Sequence, residues 1–276
     1  MRRYFKEDFD SLTPSRETPN ASRPSDKSWF AVNKPNPQAA LRLFCFPYAG
    51  GNHALFHNWS KHLPATVEVC AAQLPGRGTR LREKPFTALP PLVESLAEAM
   101  SPRLEKPFAF FGHSMGASIA FELARYLRRT RSVLPQHLFV SGRRAPQVPK
   151  GEPPIYNLPH DEFIEELRRL DGTPAEVLEH PELMELMMPL LRADFSIVDT
   201  YEYFPEPPLD CGITAYGGLQ DHEVSRENLE AWREQTRGSF TLRMLPGRHF
   251  FLQSHQQTLL RSLHTELHEA VVRASV

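Results

Sequence analysis

Three cysteines in 276 residues, Cys45, Cys70 and Cys211, are too few and too widely spaced for a disulfide framework. They match no zinc spacing either. Each lies in a stretch that reads as a core strand, so the expectation is three buried thiols acting as small hydrophobes in a reducing compartment. Charge of one sign is equally lacking: 32 Lys and Arg against 33 Asp and Glu leave a net charge of −1. That balance removes the electrostatic footprint of a nucleic-acid-binding protein or of one held on an anionic membrane. No run of about 18 apolar residues exists, which excludes a transmembrane helix. The first eight residues, MRRYFKED, have no apolar core of a secretory signal, and Arg2-Arg3 alone makes no twin-arginine leader. A cytoplasmic protein is the expectation.

What is present is enough apolar material for a sizeable core, 41% of the chain, at a length suited to one large α/β domain with an insertion or to two small domains. Residues 1–37 are rich in Ser, Pro, Thr and both charge signs, and read as an irregular N-terminal extension. From Leu41 onward, apolar strands alternate with helical patterns: 41–46, 67–72, 108–113 and 137–141 are strands. A short helix at 54–62, an amphipathic helix at 89–103 and another after Ser114 lie between them. That alternation predicts βαβ units and a largely parallel sheet covered on both faces.

The pattern changes between 147 and 208, where helices occur without strands. The longest, 181–203, contains Pro189 and is apolar around much of its girth. Such a helix is buried or lines an apolar cavity. Its methionines Met184, Met187 and Met188 suit an adaptable cavity wall or, equally, plain core packing. The segment reads as a helical lid inserted into a core of 38–146 and 209–276. Strands return at 212–216 and 240–245, with helices at 225–236 and 255–272.

The stretch that organises the chain is Phe108-Ala109-Phe110-Phe111-Gly112-His113-Ser114-Met115-Gly116-Ala117. An apolar strand, a G-x-S-x-G turn and a helix in that order form a nucleophile elbow. A serine hydroxyl needs a histidine to take its proton and an acid to orient that histidine. In elbow hydrolases the order is Ser, then Asp or Glu, then His, each at the C-terminal end of a strand. Asp221, after the strand at 212–216 and a Gly-Gly turn, meets the first requirement, whereas Asp194, Asp199 and Glu202 sit in the lid helix and Asp210 precedes the strand. His249, in the loop after the last strand, meets the second. His222 is too close to Asp221, His113 lies inside the elbow, and His255, His264 and His268 belong to the last helix. The candidate triad is Ser114, Asp221 and His249. Oxyanion donors are the N–H of Met115 and one from the Tyr48-Ala49-Gly50 loop, assigned to Ala49.

Phe46-Pro47-Tyr48-Ala49-Gly50-Gly51, Leu74-Pro75-Gly76-Arg77, Gly112-His113-Ser114-Met115-Gly116, Ser141-Gly142-Arg143-Arg144-Ala145-Pro146 and His249-Phe250-Phe251-Leu252 together resemble the type II thioesterases. That family accompanies polyketide synthases, nonribosomal peptide synthetases and animal fatty acid synthase. The resemblance spans roughly 41–270, with one departure: Arg248 stands where the family usually has a second glycine before the histidine. It implies an α/β-hydrolase fold and hydrolysis of an acyl thioester from the phosphopantetheine arm of a carrier protein, removing stalled acyl groups or releasing a chain. It also implies a carrier protein as partner and no cofactor; a monomer is the default. The same triad would serve an esterase or acyl-CoA hydrolase on free substrates, and a catalytically silent hydrolase-fold partner of a synthase is the third reading.

Overall fold

The strand leading into Ser114 is the middle one of a seven-stranded sheet. The computed structural model describes residues 29–170, 172 and 175–274. Its strands are β1 (Phe30–Ala31), β2 (Leu41–Phe46), β3 (Val67–Ala72), β4 (Phe108–His113), β5 (His137–Ser141), β6 (Gly212–Gly218) and β7 (Phe240–Leu245). They lie in the order β1-β3-β2-β4-β5-β6-β7. All pairs are parallel except β1 with β3.

The helices are α1 (Leu89–Met100), α2 (Met115–Arg131), α3 (His160–Leu170), α4 (Ala175–Leu178), α5 (Pro181–Asp199), α6 (Arg226–Glu230), α7 (Phe251–Ser254) and α8 (Gln256–Ala274). Because side chains of a strand alternate between faces, the core divides in two. Phe44, Phe46, Phe108 and Phe110 point to the face covered by α1 and α2, with Leu96, Ile119 and Leu123. Leu43, Cys45, Ala109 and Phe111 point to the other, against Trp59 and the Leu259, Leu263 and Leu267 stripe of α8. β4 is buried along its whole length, as an interior strand of a parallel sheet must be.

Among the described residues between β5 and β6, the regular elements are α3, α4 and α5. Phe163, Leu167, Val177, Met184 and Leu191 form a small core of their own there, while Ile197 near the end of α5 joins the main core. Met187 and Met188 pack in the same small core. The methionines therefore serve packing and do not wall the cleft described below, whose apolar side is formed by other residues.

Several expectations shift. Phe30–Ala31, inside the stretch read as an irregular extension, pairs antiparallel with Ala72 and Ala71 at the edge of β3. Phe30 meets Phe44 edge-on at 5.0 Å, and the Arg80 guanidinium lies 4.0 Å over the Trp29 ring. Two residues are too few to carry a period, so pairing with an available edge decides the conformation. The remainder of that reading, residues 1–28, lies outside the described residues. The helix expected at 54–62 is two 3₁₀ turns, His53–Phe56 and Trp59–Lys61, the first capped by the Asn52 side chain, which accepts from the Ala54 N–H at 2.8 Å. The helix expected at 225–236 ends as α6 and continues as a 3₁₀ turn, Ala231–Gln235. Cys211 sits one residue ahead of β6, and all three cysteines are free and buried. Among the described residues no helix is long and apolar enough to cross a membrane.

Candidate active site

Parallel strands deliver their C-terminal ends to one edge of the sheet, and the candidate residues gather there. Ser114 links β4 to α2 with φ 53° and ψ −114°. That backbone is strained for a residue with a side chain. It is held by the Ser114 N–H, which donates to Ser141 O at 2.8 Å. The flanking glycines are required by close approach. A Cβ on Gly112 would lie 2.0 Å from Gly116 O, and one on Gly116 would lie 2.1 Å from Phe46 O. Met115 is the first residue of α2, so the helix supplies no acceptor for its N–H.

Asp221 follows β6 in a tight turn that aims its carboxylate inward. Oδ1 accepts from the N–H groups of Glu223 at 2.8 Å and Val224 at 3.2 Å. Oδ2 meets His249 Nδ1 at 2.9 Å, with the Asp221 side chain fully buried. An ionised carboxylate only accepts, so Nδ1 carries the proton of this bond and Nε2 is left as the basic nitrogen. The His249 ring is wedged between His113, at 5.2 Å, and Phe250, at 5.1 Å.

Ser114, His249 and Ala49 line one cleft of about 920 Å³ that opens to solvent. Its apolar wall includes Leu191, Phe195 and Val198 from α5. The structure thus places all the candidates along one edge of the sheet: Ser114 and Met115 at the elbow, Ala49 on the loop after β2, Asp221 after β6 and His249 after β7.

The rejected residues have other partners. His113 is fully buried, its Nδ1 is 2.9 Å from Ser141 Oγ, and burial, reinforced by the neighbouring His249, pushes its pKa far down, so it is neutral. His222 is exposed. Asp199 pairs with Lys150 and accepts from the Ile155 N–H at 2.7 Å. Asp210 faces Arg237 at 3.4 Å on the surface. Asp194 forms a buried ion pair with Arg77. The exposed Arg248 leaves the turn intact, since its carbonyl accepts from the Phe251 N–H at 3.0 Å.

Two features escape a sequence reading. Tyr48 stacks edge-on against Phe250 at 4.9 Å, and its hydroxyl accepts from Gln253 Nε2 at 2.6 Å. Burial raises its pKa to about 12, so it stays protonated and ties the loop after β2 to that after β7. The Arg77–Asp194 pair is the other. Its members lie 117 positions apart, and no local pattern signals such a contact.

A largely parallel sheet with a serine on the sharp turn between its central strand and the following helix is the α/β-hydrolase fold. Within that fold the chain belongs to the thioesterase family, whose thioesterase-domain model matches residues 41–267. The chain is 48% identical over 239 residues to the gramicidin S biosynthesis protein GrsT of Aneurinibacillus migulanus, covering 87% of this chain and 93% of that one. RedJ, a thioesterase from the prodiginine biosynthetic pathway in Streptomyces coelicolor, superimposes with a TM-score of 0.78 at 44% identity, covering 83% of this chain and 86% of RedJ. The type II thioesterase BorB from the borrelidin biosynthetic cluster does so with a TM-score of 0.79 at 35% identity, covering 90% of this chain and all of BorB (100%).

Proposed function

We propose that this thioesterase hydrolyses acyl groups from the phosphopantetheine arm of carrier proteins through Ser114, His249 and Asp221. The observation that carries the mechanism is the 2.9 Å His249–Asp221 contact beside a cleft that His249 and Ser114 both line. Relatives named for gramicidin S, prodiginine and borrelidin biosynthesis support a carrier-bound substrate. Three buried free thiols fit a reducing compartment such as the cytoplasm.

In this reading His249 Nε2 takes the Ser114 Oγ proton as Oγ attacks the thioester carbonyl carbon. The carbonyl oxygen becomes an oxyanion and is met by the N–H groups of Met115 and Ala49. The C–S bond then breaks, and the imidazolium returns its proton to the pantetheine thiolate. Water enters, gives a proton to His249, attacks the acyl-serine carbonyl and frees the acid, and Ser114 Oγ takes the proton back. Asp221 stays ionised throughout, holding the ring and offsetting its charge. Residues 147–208 act as the lid, with α5 offering an apolar wall to the acyl chain.

The test is hydrolysis of an acyl panel, each acyl group presented on a carrier protein and on CoA, by wild type and Ser114→Ala. Carrier-bound acyls are expected to turn over faster, and the variant is expected to lose at least about 10⁴-fold in kcat. Equal or better turnover of CoA esters would shift the reading to a free-substrate hydrolase. Activity surviving in Ser114→Ala would overturn the mechanism.

A further inference from the structure

The loop carrying Ala49 is not held by β2 alone. Arg77, in the turn after β3, and Asp194, in α5, form a two-point ion pair: Nη2 to Oδ1 at 2.7 Å and Nη1 to Oδ2 at 2.8 Å. The two side chains are 6% and 1% exposed. Each also grips the loop. Arg77 Nη1 donates to Gly51 O at 2.9 Å, and the Gly50 N–H donates to Asp194 Oδ2 at 2.8 Å. Leu191, one turn before Asp194, packs against the same loop, since a Cβ on Gly50 would lie 2.7 Å from its Cδ2.

The consequence for Ala49 follows from peptide geometry. The Ala49 N–H shares a trans peptide plane with Tyr48 C=O, so the two point in opposite directions. Tyr48 O accepts from the Gly51 N–H at 2.9 Å, which closes the turn. With the carbonyl turned into the loop, the Ala49 N–H must face out of it. The ion pair fastens both peptide groups on the far side of that turn, the Gly50 N–H and the Gly51 C=O. If the turn opened or α5 withdrew, two charges would lose their partners in a buried site, at a large cost.

We infer that Arg77 and Asp194 are positioning residues that latch the Ala49 oxyanion donor to helix α5, so that the donor is aligned only while α5 is seated. Neither residue touches the reacting atoms; both act through the loop. The inference rests on the reading of Ser114, His249 and the two oxyanion donors given above. It adds that the helical segment controls transition-state stabilisation as well as forming the wall of the acyl cleft.

The test compares wild type, Asp194→Asn and the apolar double variant Arg77→Met/Asp194→Leu. Apolar replacement of a buried ion pair is often neutral for stability, so the double variant separates folding from alignment. Three quantities are read: kcat and KM on an acyl-carrier protein, inhibition by an alkylboronic acid, and the unfolding midpoint. The boronic acid adds to the Ser114 oxygen as a tetrahedral anion and needs an aligned oxyanion hole. Both variants are expected to lose roughly tenfold or more in kcat. KM should stay within about twofold and boronate affinity should fall in proportion to kcat, as for a group felt only in the transition state. A folded variant that keeps wild-type kcat and boronate affinity, or that changes KM alone, would overturn the latch. Should wild type itself ignore the boronate, or Ser114→Ala remain active, the reading of the site fails and takes the latch with it.

Discussion

His113 shows how close a residue can stand to a reaction without a proton to offer. It packs on His249 and shares its Nδ1 with Ser141 Oγ. Burial, with His249 as a second cause, holds its folded pKa well below the ordinary value near 6.5. The unfolded chain therefore binds a proton that the folded chain refuses, and stability falls as pH drops below about 6.5 toward the folded pKa. One such group contributes a slope of up to about 1.4 kcal/mol per pH unit. Urea unfolding of wild type and His113→Asn between pH 7 and 5 should show a shallower acid limb in the variant. Identical limbs would mean that His113 is charged in the folded protein. At this scale the sequence was informative because the requirements were local or topological. Gly112 and Gly116 flank Ser114, and Asp221 and His249 stand at the ends of their strands. Arg77 and Asp194 obey no such rule: their meeting depends on how α5 lies across two loops, which no spacing encodes.

Among the elements, α5 has the most to do. It contributes Leu191, Phe195 and Val198 to the cleft, Met184 to a satellite core and Asp194 to the oxyanion loop. Val198 borders both the main cleft and a second cavity lined by Phe121, Tyr203 and Trp232, and is the one apolar residue the two share beside Arg143, Arg144, Lys150 and Asp199. Enlarging it should shorten the apolar wall open to an acyl tail in the main cleft. Val198→Phe is expected to shift the preferred acyl group to shorter chains, each excluded methylene being worth about 1–3 kcal/mol of discrimination. Turnover of the shortest substrate should be unchanged. The acyl panel measures this directly, and an unaltered chain-length profile would place the tail elsewhere. The helical period of α5 was readable from its sequence, but its apolar girth could not say which side met the cleft. Leucine, phenylalanine and valine took that side, while Met187 and Met188 filled the satellite core. The 3₁₀ turns at His53–Phe56 and Trp59–Lys61 were equally hard to read, because one turn fits either helix type.

For the molecule as a whole, the parallel pairing of β2 to β7 follows from alternating strands and helices, and that alternation is written plainly in the apolar runs from Leu41 to Ser141. Its margins are less plain. At one margin the C-terminal end of β3 is paired by Phe30 and Ala31, which face Ala72 and Ala71, with the Gln73 N–H donating to Trp29 O at 2.8 Å just beyond. An uncovered strand edge is a template for a second chain. Capping of that edge by Trp29 to Ala31 predicts that the three residues guard against self-association. A protein beginning at Val32 should keep the six parallel strands β2 to β7 and yet associate with itself on standing. Light scattering over hours at a concentration where a chain beginning at Trp29 stays monodisperse would reveal it. Equal scattering would show that so short a strip is not what keeps this sheet from recruiting a neighbour. If it is, the shelf life of the enzyme is set at a margin of the sheet, on the strand that leads into the turn holding Arg77.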